Sequence, residues 1–190
     1  MPLPASSGRK EVHHRSIDLR VFQRDDGLFD VEARLVDTKP FPFQRLISGV
    51  APPGQALHDL WLRIVVDDTC VVHDIVASPD ATPFTICPEA AAGLQSLVGE
   101  RIGRGWNRAI REKLRRTDNC THLVELLQPL ATVALMGVRA VVPHRGLPSP
   151  DDEHPAQLDT CYGFAADREV VRILWPRHHR PPVDDRKDEP

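Results

Sequence analysis

The sequence predicts an α+β domain in which an antiparallel sheet packs against about three helices from the C-terminal half of the chain. Two observations favour this class. Apolar and polar residues alternate in several short runs before residue 80, which is typical of strands with one buried face. After that point apolar residues recur every three or four positions, as they do along one face of a helix.

Four strands are predicted in the first half of the chain. Asp25-Asp26-Gly27 is a turn signal that joins the first two strands into a hairpin. Asp67-Asp68 separates the last two strands, and residues 44–54 are interpreted as a short strand or a loop. The predicted strands are residues 15–24, 30–37, 60–66 and 70–77.

Three helices are predicted after the sheet. Pro88 suits the first position of a helix over residues 88–98. A second helix over residues 103–116 is indicated by apolar residues four apart: Trp106, Ile110 and Leu114. The third follows Asn119, a favourable N-cap residue. Its apolar stripe consists of Leu123, Leu126, Leu127, Leu130, Ala134 and Leu135.

The end of the chain returns to apolar alternation. Residues 158–175 are therefore predicted to form a final strand or hairpin. The resulting organisation is a flexible N-terminal arm over residues 1–12, a single α+β domain over residues 13–175, and a disordered tail over residues 176–190.

Composition narrows the class of protein. The 190 residues are 41% hydrophobic and 27% charged, with a net charge of −3, which is ordinary for a globular domain. Without a broad basic surface, nucleic acid is not an expected partner. No run reaches the roughly 18 consecutive apolar residues of a membrane span, and the N-terminus does not resemble a signal peptide. A cytoplasmic location with reduced cysteines and no membrane partner is expected. The composition is compatible with both a monomer and a homo-oligomer.

One basic run stands out within this balanced charge. It is explained either by a solvated helix face or by a docking surface for an acidic partner or anionic substrate. Its members are Arg101, Arg104, Arg108, Arg111, Lys113, Arg115 and Arg116.

Two cysteines lie at predicted helix starts. With Asn119 as the N-cap, Cys120 falls in the first turn, where the helix dipole favours a thiolate that can bind metal or attack an electrophile. Cys87 directly precedes the helix that Pro88 opens. The alternative for Cys120 is a small buried apolar residue without a chemical role.

A histidine on the apolar side of a strand is the third candidate. His58 has the same parity as Leu60 and Leu62, and a buried imidazole requires a partner or a metal. His58 is either a core histidine whose hydrogen bonds are all made within the protein or a residue of the functional site. Asp59 is a candidate acid/base beside it, and His122 an assisting group. Cys161 either completes a set of metal ligands or packs without a chemical role.

Several motifs resemble those of a bacterial family of domains of unknown function, over residues 15–175. The family label carries no activity that could be transferred. The motifs are Arg24-Asp25-Asp26-Gly27-Leu28-Phe29-Asp30, Leu35-Val36-Asp37-Thr38-Lys39-Pro40, His58-Asp59-Leu60, Cys120-Thr121-His122-Leu123 and Leu158-Asp159-Thr160-Cys161.

The order of elements over residues 55–142 also resembles the U-type iron–sulfur cluster scaffold proteins. The resemblance implies that Asp59 corresponds to the aspartate of that family's Cys-Gly-Asp motif, and that Cys87 and Cys120 correspond to its second and third cysteines. Leu57 and His58 stand where the first cysteine belongs, and Asn119 replaces the histidine before the third. These departures favour a mononuclear Zn²⁺ or Fe²⁺ site with mixed ligands over a cluster.

Three hypotheses follow. In the first, His58, Cys87 and Cys120 bind a metal, and the protein is a metal-dependent enzyme acting on a small molecule, with Asp59 as acid/base. In the second, a metal-free lyase or hydrolase of catabolic metabolism uses His58 and Asp59, assisted by His122 or Cys120. In the third, the protein is an accessory factor that delivers metal or sulfur.

Overall fold

The computed structural model describes residues 4, 7–47, 49–142, 151 and 153–181. These residues form two compact units, Met1–Pro143 and His144–Pro190. The first unit carries the predicted sheet and the three predicted metal ligands, His58, Cys87 and Cys120.

Four strands of the first unit form one antiparallel sheet: β1 (His14–Gln23), β2 (Phe29–Thr38), β5 (His58–Val66) and β6 (Val72–Ala81). Neighbouring strands in the sheet follow this same order. Between β2 and β5 the chain makes a small separate hairpin of β3 (Phe43–Gln44) and β4 (Val50–Ala51). The predicted α+β class with an antiparallel sheet is confirmed.

Alternation along the strands gives the sheet one buried face. The residues that are almost fully buried are Phe29, Val31, Ala33 and Leu35 on β2 and Leu60, Leu62 and Ile64 on β5. Side chains two apart share a face. Asp37 and His58 therefore lie on this same buried side, at the end of the sheet where the two residues are register partners.

Two helices and a 3-10 segment cover the buried face. The 3-10 segment spans Cys87–Leu97, α1 spans Trp106–Lys113, and α2 spans Thr121–Val141. α2 contributes the most buried side chains to the core, and these are Leu123, Leu126, Leu127, Leu130, Ala131, Ala134 and Val138. Among the described residues, α2 is also the one helix long and apolar enough to cross a membrane by length and composition alone. Of its apolar window, 33% is buried inside the protein. The cytoplasmic location stays a prediction.

A helix is present where one was predicted over residues 88–98, and it is of the 3-10 type. The segment consists of successive 3-10 turns, and its apolar residues Ala91, Leu94 and Leu97 repeat every third position toward the core. A 3-10 helix has three residues per turn, so this spacing places all three on one side. The period of three, rather than 3.6, is the signal that distinguishes the two types.

The start of α2 is one residue later than predicted. Cys120, not Asn119, is the N-cap, and its backbone is extended. The Asn119 side chain instead donates to the Arg115 carbonyl at 2.9 Å. The thiol of Cys120 therefore stands at the open end of the helix.

The second unit contradicts the predicted final strand. Residues Glu169–Leu174 form α3, flanked by 3-10 turns at Tyr162–Phe164 and Pro176–His178. A short run rich in valine and isoleucine does not by itself distinguish strand from helix. Here Val171 and Trp175, four apart, are buried together, and Arg172 pairs with Glu169 across one turn.

The domain boundaries stay predictions. Residues 7–12 of the predicted arm are exposed and without regular structure. The predicted tail begins with the 3-10 turn at Pro176–His178, and residues 182–190 lie outside the described residues.

Gly137 allows α2 to approach β1 closely, and replacing it with alanine tests this contact. A Cβ at position 137 would lie 2.8 Å from Val21 Cβ. Overpacking costs about 1–3 kcal/mol, more than the roughly 1 kcal/mol that alanine gains over glycine in a helix. We expect Gly137→Ala to lower the free energy of unfolding in urea by about 1 kcal/mol. Thr132→Ala, at an exposed position of α2, is the matched control. Equal or greater stability of Gly137→Ala would contradict the contact.

Candidate functional site

The centre of the site is a buried carboxylate. Asp37 is 1% exposed and is the one charged residue in the buried class among those described. Arg15 approaches it in a bidentate arrangement: Nε donates to Oδ1 at 2.8 Å and Nη2 donates to Oδ2 at 2.8 Å. Arg15 and Asp37 are register partners on neighbouring strands, so the pairing follows from the sheet itself. Such a fork fixes the position of both oxygens.

Two histidines complete the surroundings of the carboxylate. His13 Nε2 lies 3.1 Å from Oδ1, and His58 Nδ1 lies 2.9 Å from Oδ2. A carboxylate only accepts hydrogen bonds, so Nδ1 of His58 is the nitrogen that donates and Nε2 remains available. The Asp37 side chain thus sets both the orientation and the tautomer of His58.

The electrostatics of Asp37 reflect these contacts. Burial by itself raises the pKa of the carboxyl, but hydrogen bonds from Arg15 and His58, together with their charges, outweigh it and hold the pKa at about 2. Asp37 is therefore ionised throughout the neutral range. It can stabilise positive charge on His58 without taking up a proton itself.

Arg15 also connects the sheet to α2. Its Nη1 donates to Oε2 of Glu125 at 2.9 Å. Glu125 lies one turn after His122, so this contact lies where the first turns of α2 meet the ends of β1, β2 and β5.

The ring of His122 meets that of His58. The ring centroids are 3.9 Å apart and the planes are tilted by 39°. His122 comes from the first turn of α2, whereas His58 begins β5. The two imidazoles form a pair that joins the sheet to the helix.

Cys120 extends this chain of contacts. A hydrogen bond with the His122 side chain lowers the pKa of the Cys120 thiol; burial opposes the shift, and the backbone N–H groups of Leu123 and His122 reinforce it. By contrast, burial raises the pKa of Cys70, a core residue. Thiolate formation is therefore favoured at Cys120.

An open cavity of about 560 Å³ adjoins these groups. Phe84 and Ile86 contribute apolar surface, and the titratable side chains of the lining are His58, Cys87, Glu89, Asp118, Cys120 and His122. His58 retains 16% of its side-chain surface exposed. A small organic molecule in this cavity would reach both imidazoles and a thiol.

The residues proposed from sequence separate into two groups. His58, His122, Cys87 and Cys120 line this one cavity. Asp59 points to the opposite face of the sheet, because neighbouring strand residues alternate. There it pairs with Arg34 at 2.9 and 2.7 Å, which lowers the pKa of its carboxyl. Cys161 is exposed in the second unit.

A compact group of potential metal ligands is also present. One ligand atom from each of Asp37, His58 and His122 lies within 4.8 Å of the other two, so that the group could hold a metal ion. In the described part of the chain, this is the one group of three or more His, Cys, Asp or Glu residues that lie close enough together to hold one ion. The ligand set of His58, Cys87 and Cys120 stays a prediction.

Sequence reasoning missed Asp37, Arg15 and His13. A signal for Asp37 was present: it has the same parity as Val31, Ala33 and Leu35, so a charged side chain falls at a core-facing position. A buried charge requires partners, and such positions are candidates for function. No comparable local signal marks Arg15 or His13.

Comparison with known proteins identifies the family. Residues 13–136 match the model of a family described as protein of unknown function (DUF2889). The predicted membership of a family of unknown function is thereby confirmed. No curated protein and no solved structure matches the chain significantly. The resemblance to iron–sulfur scaffolds stays a prediction.

Removing the charge of Asp37 tests its structural role. Asp37→Asn leaves Arg15 without an anionic partner, and breaking such a buried pair costs about 3 kcal/mol. The folded-state pKa of about 2 lies below the usual 3.8, so the charge stabilises the fold above pH 4 and this contribution is lost as the pH falls toward 2. We expect the wild-type and variant free energies of unfolding to converge over that range.

Asp59→Asn is the matched control, since Asp59 also pairs with an arginine but on the more exposed face. It should cost about 1 kcal/mol or less. Urea unfolding at pH 7, 4 and 3 measures both variants. An Asp37→Asn loss no larger than that of Asp59→Asn would contradict the central role of Asp37.

Alkylation measures the state of Cys120. We expect iodoacetamide at pH 7 to modify Cys120 several times faster than the exposed Cys161, because the thiolate is the reacting form. The buried Cys70 should react slowest. His122→Gln should slow modification of Cys120, whereas His73→Gln, at a partly exposed residue that contacts Asp67, should not. Peptide mapping by mass spectrometry gives each rate. An unchanged rate in His122→Gln would exclude the thiol–imidazole contact.

Proposed function

We propose that this chain, which belongs to the DUF2889 family, is an enzyme that transfers protons on a small organic molecule bound beside His58 and His122. A lyase or hydrolase reaction fits best. The observation that carries the proposal is the line of contacts from the buried Asp37 carboxylate through His58 to His122, ending in an open cavity.

His58 is assigned the role of general base. Asp37 accepts from Nδ1, so Nε2 is left with the lone pair that takes a proton from the substrate or from water. The charge that develops on the ring is stabilised by the ionised carboxylate behind it. This is the arrangement in which a buried aspartate orients an imidazole and stabilises its protonated form.

His122 is assigned the role of partner acid. The two rings lie side by side, with centroids 3.9 Å apart, and both line the same cavity. One ring can then accept a proton while the other delivers one to the leaving group. Cys120, with its contact to His122, stands where it can assist by binding or attacking an electrophilic carbon.

A metal site is the second candidate, favoured by the close group of Asp37, His58 and His122. Zn²⁺ or Fe²⁺ suits imidazole and carboxylate or thiolate ligands. Two features favour the acid–base proposal over it. Both oxygens of Asp37 already accept hydrogen bonds from Arg15. The ring centroids are also closer than the roughly 5 Å that a tetrahedral ion with Zn–N bonds of about 2.0–2.1 Å imposes.

The test is turnover of a panel of small carboxylic acids, esters and hydroxy acids by the full chain, followed by mass spectrometry. General acid–base catalysis contributes about 10²–10⁴-fold, so His58→Ala and His122→Ala should each lose at least 100-fold in kcat/KM. His73→Ala, outside the cavity, should keep the wild-type rate. Turnover that survives both site variants would refute the proposal.

Metal analysis of the same preparations separates the two candidates. One equivalent of metal per chain that is lost in both His58→Ala and His122→Ala, together with turnover abolished by chelator, would favour the metal site. Turnover that persists in chelator-treated protein and retains its dependence on both histidines would favour acid–base catalysis.

A further inference from the structure

A second cavity lies next to the one that holds the histidines. It has a volume of about 360 Å³, and Arg115, Arg116, Asn119 and Thr121 contribute to its lining. Asn119 and Thr121 also line the first cavity. The two cavities are therefore neighbours that share these two lining residues at the start of α2.

The second cavity is lined by more unpaired cationic side chains than unpaired anionic ones. Arg115 and Arg116 are exposed, and within the described part of the chain neither has a carboxylate partner. Glu125 is the acidic residue in the lining, but its carboxylate already accepts from Arg15 at 2.9 Å. The first turn of α2 adds the positive end of its dipole to the same wall.

The inner side of the second cavity is apolar. Ile110 and Leu114, both buried, form part of its lining together with Val124. The first cavity also presents apolar surface from Phe84 and Ile86. A ligand that occupies both spaces therefore needs an apolar body as well as an anionic end.

We propose that the substrate is a small apolar or aromatic compound that carries a phosphate or carboxylate group, and that Arg115 and Arg116 bind this anionic group. The reacting part then lies against His58 and His122. This inference rests on the proposed function, because it assigns the substrate class of the same site. Guanidinium groups match both anions, in bidentate geometry.

Binding of two simple probes tests the inference without any turnover. Phenyl phosphate and benzoate each combine an aromatic ring with one anionic group, and they distinguish phosphate from carboxylate. Each is titrated into the isotopically labelled full chain at constant ionic strength, since screening changes exposed charge interactions. The amide signals of Asn119 and Thr121 report the dissociation constant.

The Arg115→Ala/Arg116→Ala double variant should weaken binding of at least one probe 10-fold or more. Arg111→Ala is the matched control, because Arg111 is an exposed arginine on α1 that does not line either cavity. It should change the dissociation constant less than twofold. Both variants alter exposed side chains, and their thermal unfolding should match the wild type.

Equal dissociation constants for the wild type and the double variant with both probes would overturn the inference, as would the absence of saturable binding of either probe. His58→Ala/His122→Ala should retain affinity for the preferred probe within about threefold while losing turnover. If probe binding does not depend on Arg115 and Arg116 while turnover still depends on the two histidines, the substrate class is refuted and the proposed function stands.

Discussion

The buried ion pair of Arg15 and Asp37 is the constraint on which the site depends. A carboxylate that is 1% exposed would cost several kcal/mol without compensation, and Arg15 supplies a cation and two hydrogen bonds. Because Arg15 also holds Glu125, the same side chain joins β1, β2 and α2. The apolar stripe of α2 packs that helix on the sheet, and the contact of Arg15 with Glu125 links the helix that carries His122 to the buried charge.

In this arrangement Asp37 has a structural role, whereas the two histidines have the chemical role. The oxygens of Asp37 are occupied, so the residue orients and stabilises rather than reacts. His58 and His122, which face the cavity, keep nitrogen atoms available. Rigid sheet positions hold Asp37 and His58, whereas Cys120 and His122 are held by the start of a long core helix. Groups placed on regular elements in this way keep their geometry better than groups on loops.

The regular elements were largely predictable because their signals are local. Alternation identified β1, β2, β5 and β6, and the apolar stripe identified α2. The prediction that failed lies where the local signal is ambiguous: the short apolar run near residue 170 suits strand and helix equally. The helix at residues 87–97 is of the 3-10 type, and its apolar residues repeat every third rather than every 3.6 residues. His58, His122, Cys87 and Cys120 were identified by residue type and parity, and they do line one cavity.

The sequence by itself determined the α+β class, the buried faces of β2 and β5, and His58, His122, Cys87 and Cys120 as side chains able to carry chemistry. Tertiary structure decided which of them act together. Asp37 precedes His58 by 21 residues and His122 follows it by 64, so their meeting depends on strand register and on how α2 crosses the sheet. Asp59, adjacent to His58 in the chain, lies on the other face, because a strand alternates its side chains regardless of their chemistry.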